Sequence, residues 1–418
     1  MQNSHRALLL GVSLALAHTS ARAEDNPAPQ TPITFEQVLD TVRRQSPDLE
    51  AARARIDEAQ GHLASATIWP ANPELEAAVG PRFGAADSDD DLDWSVGARQ
   101  RFELGGKRRA RIDGATAHAE AASLRAADAE RLALHDAATA YVQLLHWQHR
   151  SELAQRRIEL GEDLARIARR RVELGAAGGI EESLAAVTLL AARAEAAQAR
   201  AVHAQAQFRL TALLGASAET RFKPRDSLAS VALAVDSVAS GEAGERADVQ
   251  ALRAQERAAQ ADVAAARAAR VPDVALGANY AREEKQDIVQ ATIGIEVPLL
   301  DRGQGSAAVA AARRQRLRLA AAASERHADA ERRAADAAVG ILGDAARQID
   351  RAQGELLDRT LAQVRASYEA GDTPLAEVLA VRREVAAAEL DHASLLLAAA
   401  EARIARITAH ANASGSLE

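Results

Sequence analysis

Between residues 272 and 298 the chain abandons the pattern on either side of it. Val274, Leu276 and Tyr280 alternate with Ala275, Gly277 and Asn279; on the return Val289, Ile293 and Ile295 alternate with Gln290, Thr292, Gly294 and Glu296. A period of two carried by β-branched and aromatic residues predicts a hairpin with one apolar face. A weaker copy occupies residues 73–102, where Leu75, Ala77 and Val79 go out and Trp94, Val96 and Ala98 come back opposite Ser95, Gly97 and Arg99. Around the hairpins the period changes. Leu379, Arg383, Ala386, Leu390, Ala393, Leu397, Ala400, Ile404 and Ile407 step by fours and threes, and Ile180, Leu184, Val187, Ala191, Ala194, Ala201 and Phe208 lie on the same kind of ladder. That 3.5-residue period predicts coiled-coil packing. Residues 107–174 hold no proline and as one helix would extend about 100 Å.

The elements come twice. SPDLEAARARIDEAQGHLASA, from position 46, parallels RADVQALRAQERAAQADVAAA, from position 246; so long a period marks an internal duplication. Each copy continues through a Pro break (WPANPEL, RVPDVAL), a hairpin, a Gly-containing exit (RFELGGKRRARI, VPLLDRGQGSAA), a long helix, a turn (VELGAAGGIEESL, YEAGDTPLAEVL) and a returning helix. The expected organisation is a first repeat at 24–215 with a helical hairpin at about 105–214, a linker or equatorial segment at 216–245, and a second repeat at 246–418 with a helical hairpin at about 305–410. Residues 26–32 read as an extended tail. Residues 1–23 read as a secretory signal: His5 and Arg6, the apolar run ALLLGVSLALA, and Ala21-Arg22-Ala23 as a cleavage site.

Composition narrows the function classes. Of the 418 residues 26% are charged and only 3% aromatic, and alanine supplies much of the 48% that is hydrophobic. Long helices packed along small-residue seams suit this better than one compact core. A net charge of −8 without a basic, aromatic-rich region argues against nucleic acid. With no cysteine, neither a disulfide nor a lipid-modified cysteine is available. Two hairpins make four strands, and an open sheet cannot lie in lipid with unpaired edges. Oligomers solve this: two copies give a filled eight-stranded barrel, three a twelve-stranded one with a lumen. A soluble amphipathic sheet packed on the helices, within a periplasmic coiled-coil or adaptor-type protein, is the competing reading.

The duplicated layout, the Pro break before each hairpin, the exit PLLDRGQ and the turn YEAGDTPLAEVLA together resemble the TolC-type outer membrane factors. WPANPEL and ELGGKRRARI are most similar to their CzcC-like heavy-metal efflux branch. The resemblance implies a mainly α protein with a small β part. Long helical hairpins would form a periplasmic α-barrel in a homotrimer, and four transmembrane strands per chain would close a 12-stranded outer-membrane barrel. It implies a passive duct for heavy-metal cations, with a periplasmic adaptor and an inner-membrane RND-type pump as partners. Drug efflux or type I protein secretion is the alternative within the fold.

No nucleophile, HExxH or phosphate-loop motif is present, so no enzyme and no cofactor is expected. Asp372, in the second turn, is the candidate pore-aperture residue: three copies at a narrow tip would select cations. Gly175, Gly371, Thr373 and Leu375 are the expected adaptor contacts. Val274, Leu276, Tyr280, Val289, Ile293, Ile295, Trp94 and Val96 are the expected lipid-facing residues. His146 and His149, at i and i+3, are a possible metal pair but more simply surface histidines. The acidic stretch from Asp87 to Asp93 reads as a solvated outer loop. Lys107, Arg108, Arg109 and Arg111 follow the first hairpin's exit and read equally as a site for anionic headgroups at the inner leaflet or as a generic helix start; cations there oppose the helix dipole, which calls for an external anion.

Overall fold

A computed structural model describes residues 30–81, 92–234, 244–283 and 286–411. In order these are β1 (Gln30–Ile33), α1 (Phe35–Gln45), α2 (Pro47–Thr67), β2 (Glu74–Pro81), β3 (Leu92–Phe102), α3 (Lys107–Glu173) and α4 (Gly179–Leu213), then β4 (Arg221–Pro224) and α5 (Leu228–Ala232). The second half follows as α6 (Ala247–Ala268), β5 (Val274–Glu283), β6 (Gln286–Ile295), α7 (Gln304–Ala370) and α8 (Leu375–His410). Helices α3 and α7 are 67 residues each, about 100 Å at 1.5 Å per residue.

Helices so long cannot bury a wide apolar stripe, and the wall is two-dimensional. Next to the sheet α3 lies between α2 and α6, with α7 beyond α6; towards the far end α3 lies between α4 and α8, with α7 beyond α8. The seams are lined largely by alanine, among them Ala110, Ala117 and Ala121 on α3 and Ala251, Ala254 and Ala258 on α6. Large side chains are concentrated mid-length, where Val38, Val42, Tyr141, Leu144, Leu210 and Leu396 form the main core.

That core is where the expected free tail is corrected. Residues 30–33 form β1, paired in parallel with β4 of the connecting segment. The Tyr141 hydroxyl donates to Ile33 O (3.1 Å) and to Asp226 Oδ2 (2.7 Å), and the same carboxylate oxygen accepts from Phe35 N at 2.7 Å. One buried tyrosine therefore ties the start of the described chain and the inter-repeat segment to α3.

The four hairpin strands form one antiparallel sheet, ordered β2-β3-β5-β6. Each hairpin returns to its long helix through a left-handed glycine: Gly105 and Gly106 before α3, Gly303 before α7. The space is closed as well as the dihedral. A Cβ on Gly105 would lie 2.6 Å from Val271 Cβ, and one on Gly303 would lie 2.4 Å from Ala266 O.

Gly303→Ala combines a left-handed backbone with a collision against main chain, so it should destabilise the protein by at least about 1–2 kcal/mol. Gly61→Ala, in the open interior of α2, should instead be neutral or add up to about 1 kcal/mol. Urea midpoints of the detergent-solubilised protein compare them; equal midpoints would mean the hinge yields freely.

Candidate functional site

Cross-strand register shows which side chains share a face. Trp94 and Val96 lie opposite Arg282 and Tyr280 on β5; Val274, Leu276 and Tyr280 lie opposite Ile295, Ile293 and Val289 on β6. All eight apolar residues singled out in the sequence therefore project to one side, joined by Leu75 and Val79 of β2. The face is bare: Leu75 is 82%, Val289 79% and Ile293 73% exposed. The opposite face carries Glu74, Glu76, Ser95, Gly97, Arg99, Asn279, Gln290 and Thr292.

Aromatic pairs bracket the apolar face. Trp94 meets Tyr280 at one end (centroids 5.4 Å apart) and Phe102 meets Trp69 at the other (5.8 Å). Trp94 and Phe102 are separated along β3 by a strand length of about 26 Å at roughly 3.3 Å per residue. Tilted by the roughly 35–45° of barrel strands, that length gives a band about 20 Å tall between aromatic residues, of the order of the roughly 25 Å apolar band of an outer-membrane barrel wall.

At the far end of the wall the two helical hairpins turn by the same device. Gly175 and Gly371 are left-handed. Gly175 N donates to Val172 O and Ala176 N to Arg171 O; Gly371 N donates to Tyr368 O and Asp372 N to Ser367 O. This pair of bonds is the Schellman cap, which satisfies the last carbonyls of a helix. Asp372 is exposed, and its carboxylate has no partner among the described residues. The hydroxyls of Thr373 and Ser367 bond to each other.

Arg171 holds the two turns together. Its Nη1 donates to Tyr368 O at 3.2 Å, and its guanidinium lies 4.9 Å from the Tyr368 ring centroid. The Tyr368 hydroxyl donates to Glu181 Oε2 (3.2 Å), 3.8 Å from Arg171 Nε. Burial, with Glu181 adding to it, raises the tyrosine pKa. Beneath them Leu164, Ala168, Ala185, Tyr368, Leu375 and Val378 form a small core. Leu375 is thus corrected as an adaptor contact: it is 2% exposed and anchors the turn from inside. Gly175 and Gly371 are exposed, and Thr373 is half-buried.

The profile of outer membrane efflux proteins matches residues 38–216 and 239–410. The chain belongs to the outer membrane efflux protein family. This places it in the outer membrane, among efflux proteins rather than enzymes. It is 29% identical to the cobalt-zinc-cadmium resistance protein CzcC of Cupriavidus metallidurans over 286 residues, 66% of this chain and 65% of that protein. It is 26% identical to the pyoverdine export outer membrane protein OpmQ of Pseudomonas putida over 300 residues, 66% of this chain and 63% of that protein. Just under two thirds of each relative is spanned. Among solved structures, the outer membrane protein VceC of Vibrio cholerae superimposes with a TM-score of 0.75 at 21% identity, over 90% of this chain and 95% of that one. That likeness is one of fold.

Within this outer membrane efflux protein the other candidates resolve as follows. His146 is 3% exposed, with Nδ1 3.2 Å from Ala393 O, so it packs α3 on α8 instead of facing a cation. Among the described residues no cluster of three metal-ligating side chains exists. Asp93 belongs to β3, while Asp87, Asp89, Asp90 and Asp91 lie outside the described residues. Three of the four cations opening α3 need no external anion. Lys107 Nζ is 2.7 Å from Asp273, Arg111 is bidentate to Glu103 (2.6 and 2.8 Å), and Arg108 donates to Thr67 O at the end of α2. Arg171, Glu181 and Tyr368 were missed as site residues; the one signal was a tyrosine beside a turn in a chain with three.

Burial lowers the pKa of His146 from 6.5 to about 4, and also lowers those of His149, His203 and His392. The fold favours neutral imidazole, so this stability is full above about pH 6.5 and is lost as pH falls towards 4. His146→Gln should flatten the decline between pH 7 and pH 4 by up to about 3 kcal/mol, leaving the share of the other histidines. Denaturant midpoints across that range provide the check; an unchanged slope would refute the assignment.

Proposed function

We propose that the protein is the outer-membrane duct of a tripartite efflux system, a homotrimer through which an inner-membrane RND-type pump drives heavy-metal cations. The observation that carries the reading is the sheet: one face bare and apolar, the other polar, and both edge strands, β2 and β6, unpaired. In lipid each unpaired backbone group costs several kcal/mol, so the edges must find each other in another copy. β6 can add to β2 of a neighbour, and the head-to-tail contact then repeats around a ring. The helical wall has edges of the same order. α7 stands at one side with Ile341 and Leu356 exposed; α4 stands at the other with Ile180, Val187 and Leu190 exposed. Three chains give twelve strands, enough for an aqueous lumen lined by the polar face.

At the tip, Asp372 of three chains would line the aperture and draw cations to it, while Gly175, Gly371 and Thr373 offer a surface to a periplasmic adaptor. Similarity to CzcC supports metal cations as cargo. Similarity to OpmQ, a pyoverdine export protein, supports a second reading in which the same duct serves a small organic substrate. Choice of substrate would then belong to the pump.

The wild-type chain should fractionate with the outer membrane and run as a trimer in mild detergent. Arg in place of Val289, Ile293 or Ile295 should cut trimer yield in that fraction, because a mid-bilayer arginine costs roughly 2–4 kcal/mol. Arg in place of Gln290 or Thr292, on the other face, should be tolerated. Equal losses on both faces, or a soluble monomer, would overturn the reading.

Asp372→Ala should lower cation selectivity and weaken divalent block in planar-bilayer recordings. Across an aperture narrower than the roughly 8 Å Debye length, salt screens the ring only partly. Asp344→Ala removes one carboxylate per chain from an exposed site midway along α7 and should alter both much less. Indistinguishable recordings would remove Asp372 from the aperture.

A further inference from the structure

At the helix end of the sheet, apolar exposure and unspent positive charge meet, and nothing in the duct itself requires them together. Four connections converge at this level: α2 to β2, β3 to α3, α6 to β5, and β6 to α7. The glycine contacts bring three of them to one place, since Gly105 lies against Val271 and Gly303 against Ala266 and Ala269, all at the end of α6. Exposed apolar side chains continue past the ends of the strands. Ile68 is 64%, Trp69 53%, Leu104 43%, Leu299 68% and Leu300 94% exposed.

Cations follow directly. Arg270 and Arg302 are exposed, and neither side chain has a partner among the described residues. Arg109 is 88% exposed, with only Asp113 near it at 3.8 Å, one turn further along α3. Of the nearby acids, Glu103 is paired by Arg111 and Asp273 by Lys107, Asp301 accepts from Gly303 N (2.9 Å), and Glu296 is exposed. Residues 103–111, 270–273 and 296–303 together carry six cations against four acids, so the collar keeps a net positive charge.

We propose that this collar binds anionic phospholipid headgroups of the periplasmic leaflet, with Leu299, Leu300, Ile68 and Trp69 against the acyl chains and Arg109, Arg270 and Arg302 on the phosphates. The inference rests on the outer-membrane duct reading above. The order along the chain is the order of a leaflet. Leu299 and Leu300 precede Arg302, and Leu104 precedes Arg109, so apolar groups lie on the sheet side and guanidinium groups on the helix side. Guanidinium is suited to phosphate because its planar fork offers two parallel N–H donors to two oxygens. Bare leucines at the same level favour a lipid over a free anion, which would gain nothing from them.

The test uses the full-length trimer in vesicles of phosphatidylethanolamine with or without phosphatidylglycerol, and native mass spectrometry to count retained lipids. The wild type should retain phosphatidylglycerol in preference to phosphatidylethanolamine. Each arginine replaced by Gln should weaken that retention about fivefold, the equivalent of roughly 1 kcal/mol per basic group at an anionic surface. The triple variant Arg109→Gln, Arg270→Gln, Arg302→Gln should lose the preference, and Arg302→Gln alone gives a reading if the triple variant folds poorly. Arg316→Gln, exposed further along α7, should retain lipid like the wild type. Excess inorganic phosphate should leave retention unchanged; displacement by it would reveal a simple anion site and overturn the lipid assignment. Insertion without a phosphatidylglycerol preference, or equal retention by the triple variant, would overturn the inference alone. Failure to enter either vesicle would overturn the duct reading and this inference with it.

Discussion

Backbone hydrogen bonding in lipid governs this molecule. A four-stranded sheet with two open edges is tolerable in water and prohibitive in a bilayer, so on the duct reading its edges must be closed by other copies. Much else follows. The order β2-β3-β5-β6 leaves one edge to each repeat. The helices below the sheet keep the same lateral order, and their outer ladders stay apolar although nothing in a single chain covers them.

Alanine is the other constraint. A wall one helix thick cannot bury large side chains on two sides, and seams of Ala110, Ala117, Ala254 and Ala258 let helices approach closely at little entropic cost. Bulk is kept for junctions. The three tyrosines are Tyr141 at the mid-wall core, Tyr280 in the aromatic pair of the sheet and Tyr368 between the two tips. Each joins segments that are distant in sequence, and two of them do so through a carboxylate of another segment, Asp226 and Glu181.

What could be read from the sequence was what repeats with a period. Alternation in Val289–Ile295 assigned a face that the register bears out, because a strand's side chains cannot change sides without a slip that moves all of them. The long helices were equally plain. Non-periodic features were hidden. Leu375 follows a proline at a turn and looked available, yet it begins α8 and points into the small core under Tyr368. Residues 30–32 looked like part of a tail because the parallel partner of β1, Arg221–Pro224, is far away in the chain. His146 and His149 read more simply as surface histidines than as a metal pair, but neighbouring α8 takes His146 out of solvent. The anions for Lys107 and Arg111 came from Asp273 and Glu103, and only the first of these is remote in sequence.

The seam between β3 and β5 joins the last strand of one hairpin to the first strand of the next. The contact between β6 and a neighbour's β2 would be the same kind of joint made across two molecules. In a ring of three chains, half of the joints between hairpins form within a chain and are indifferent to dilution. The other half are bimolecular and depend on how many chains share the membrane. In such a ring each chain would carry a finished third of the barrel to its partners, and assembly would be left with half as many encounters as six separate hairpins would need.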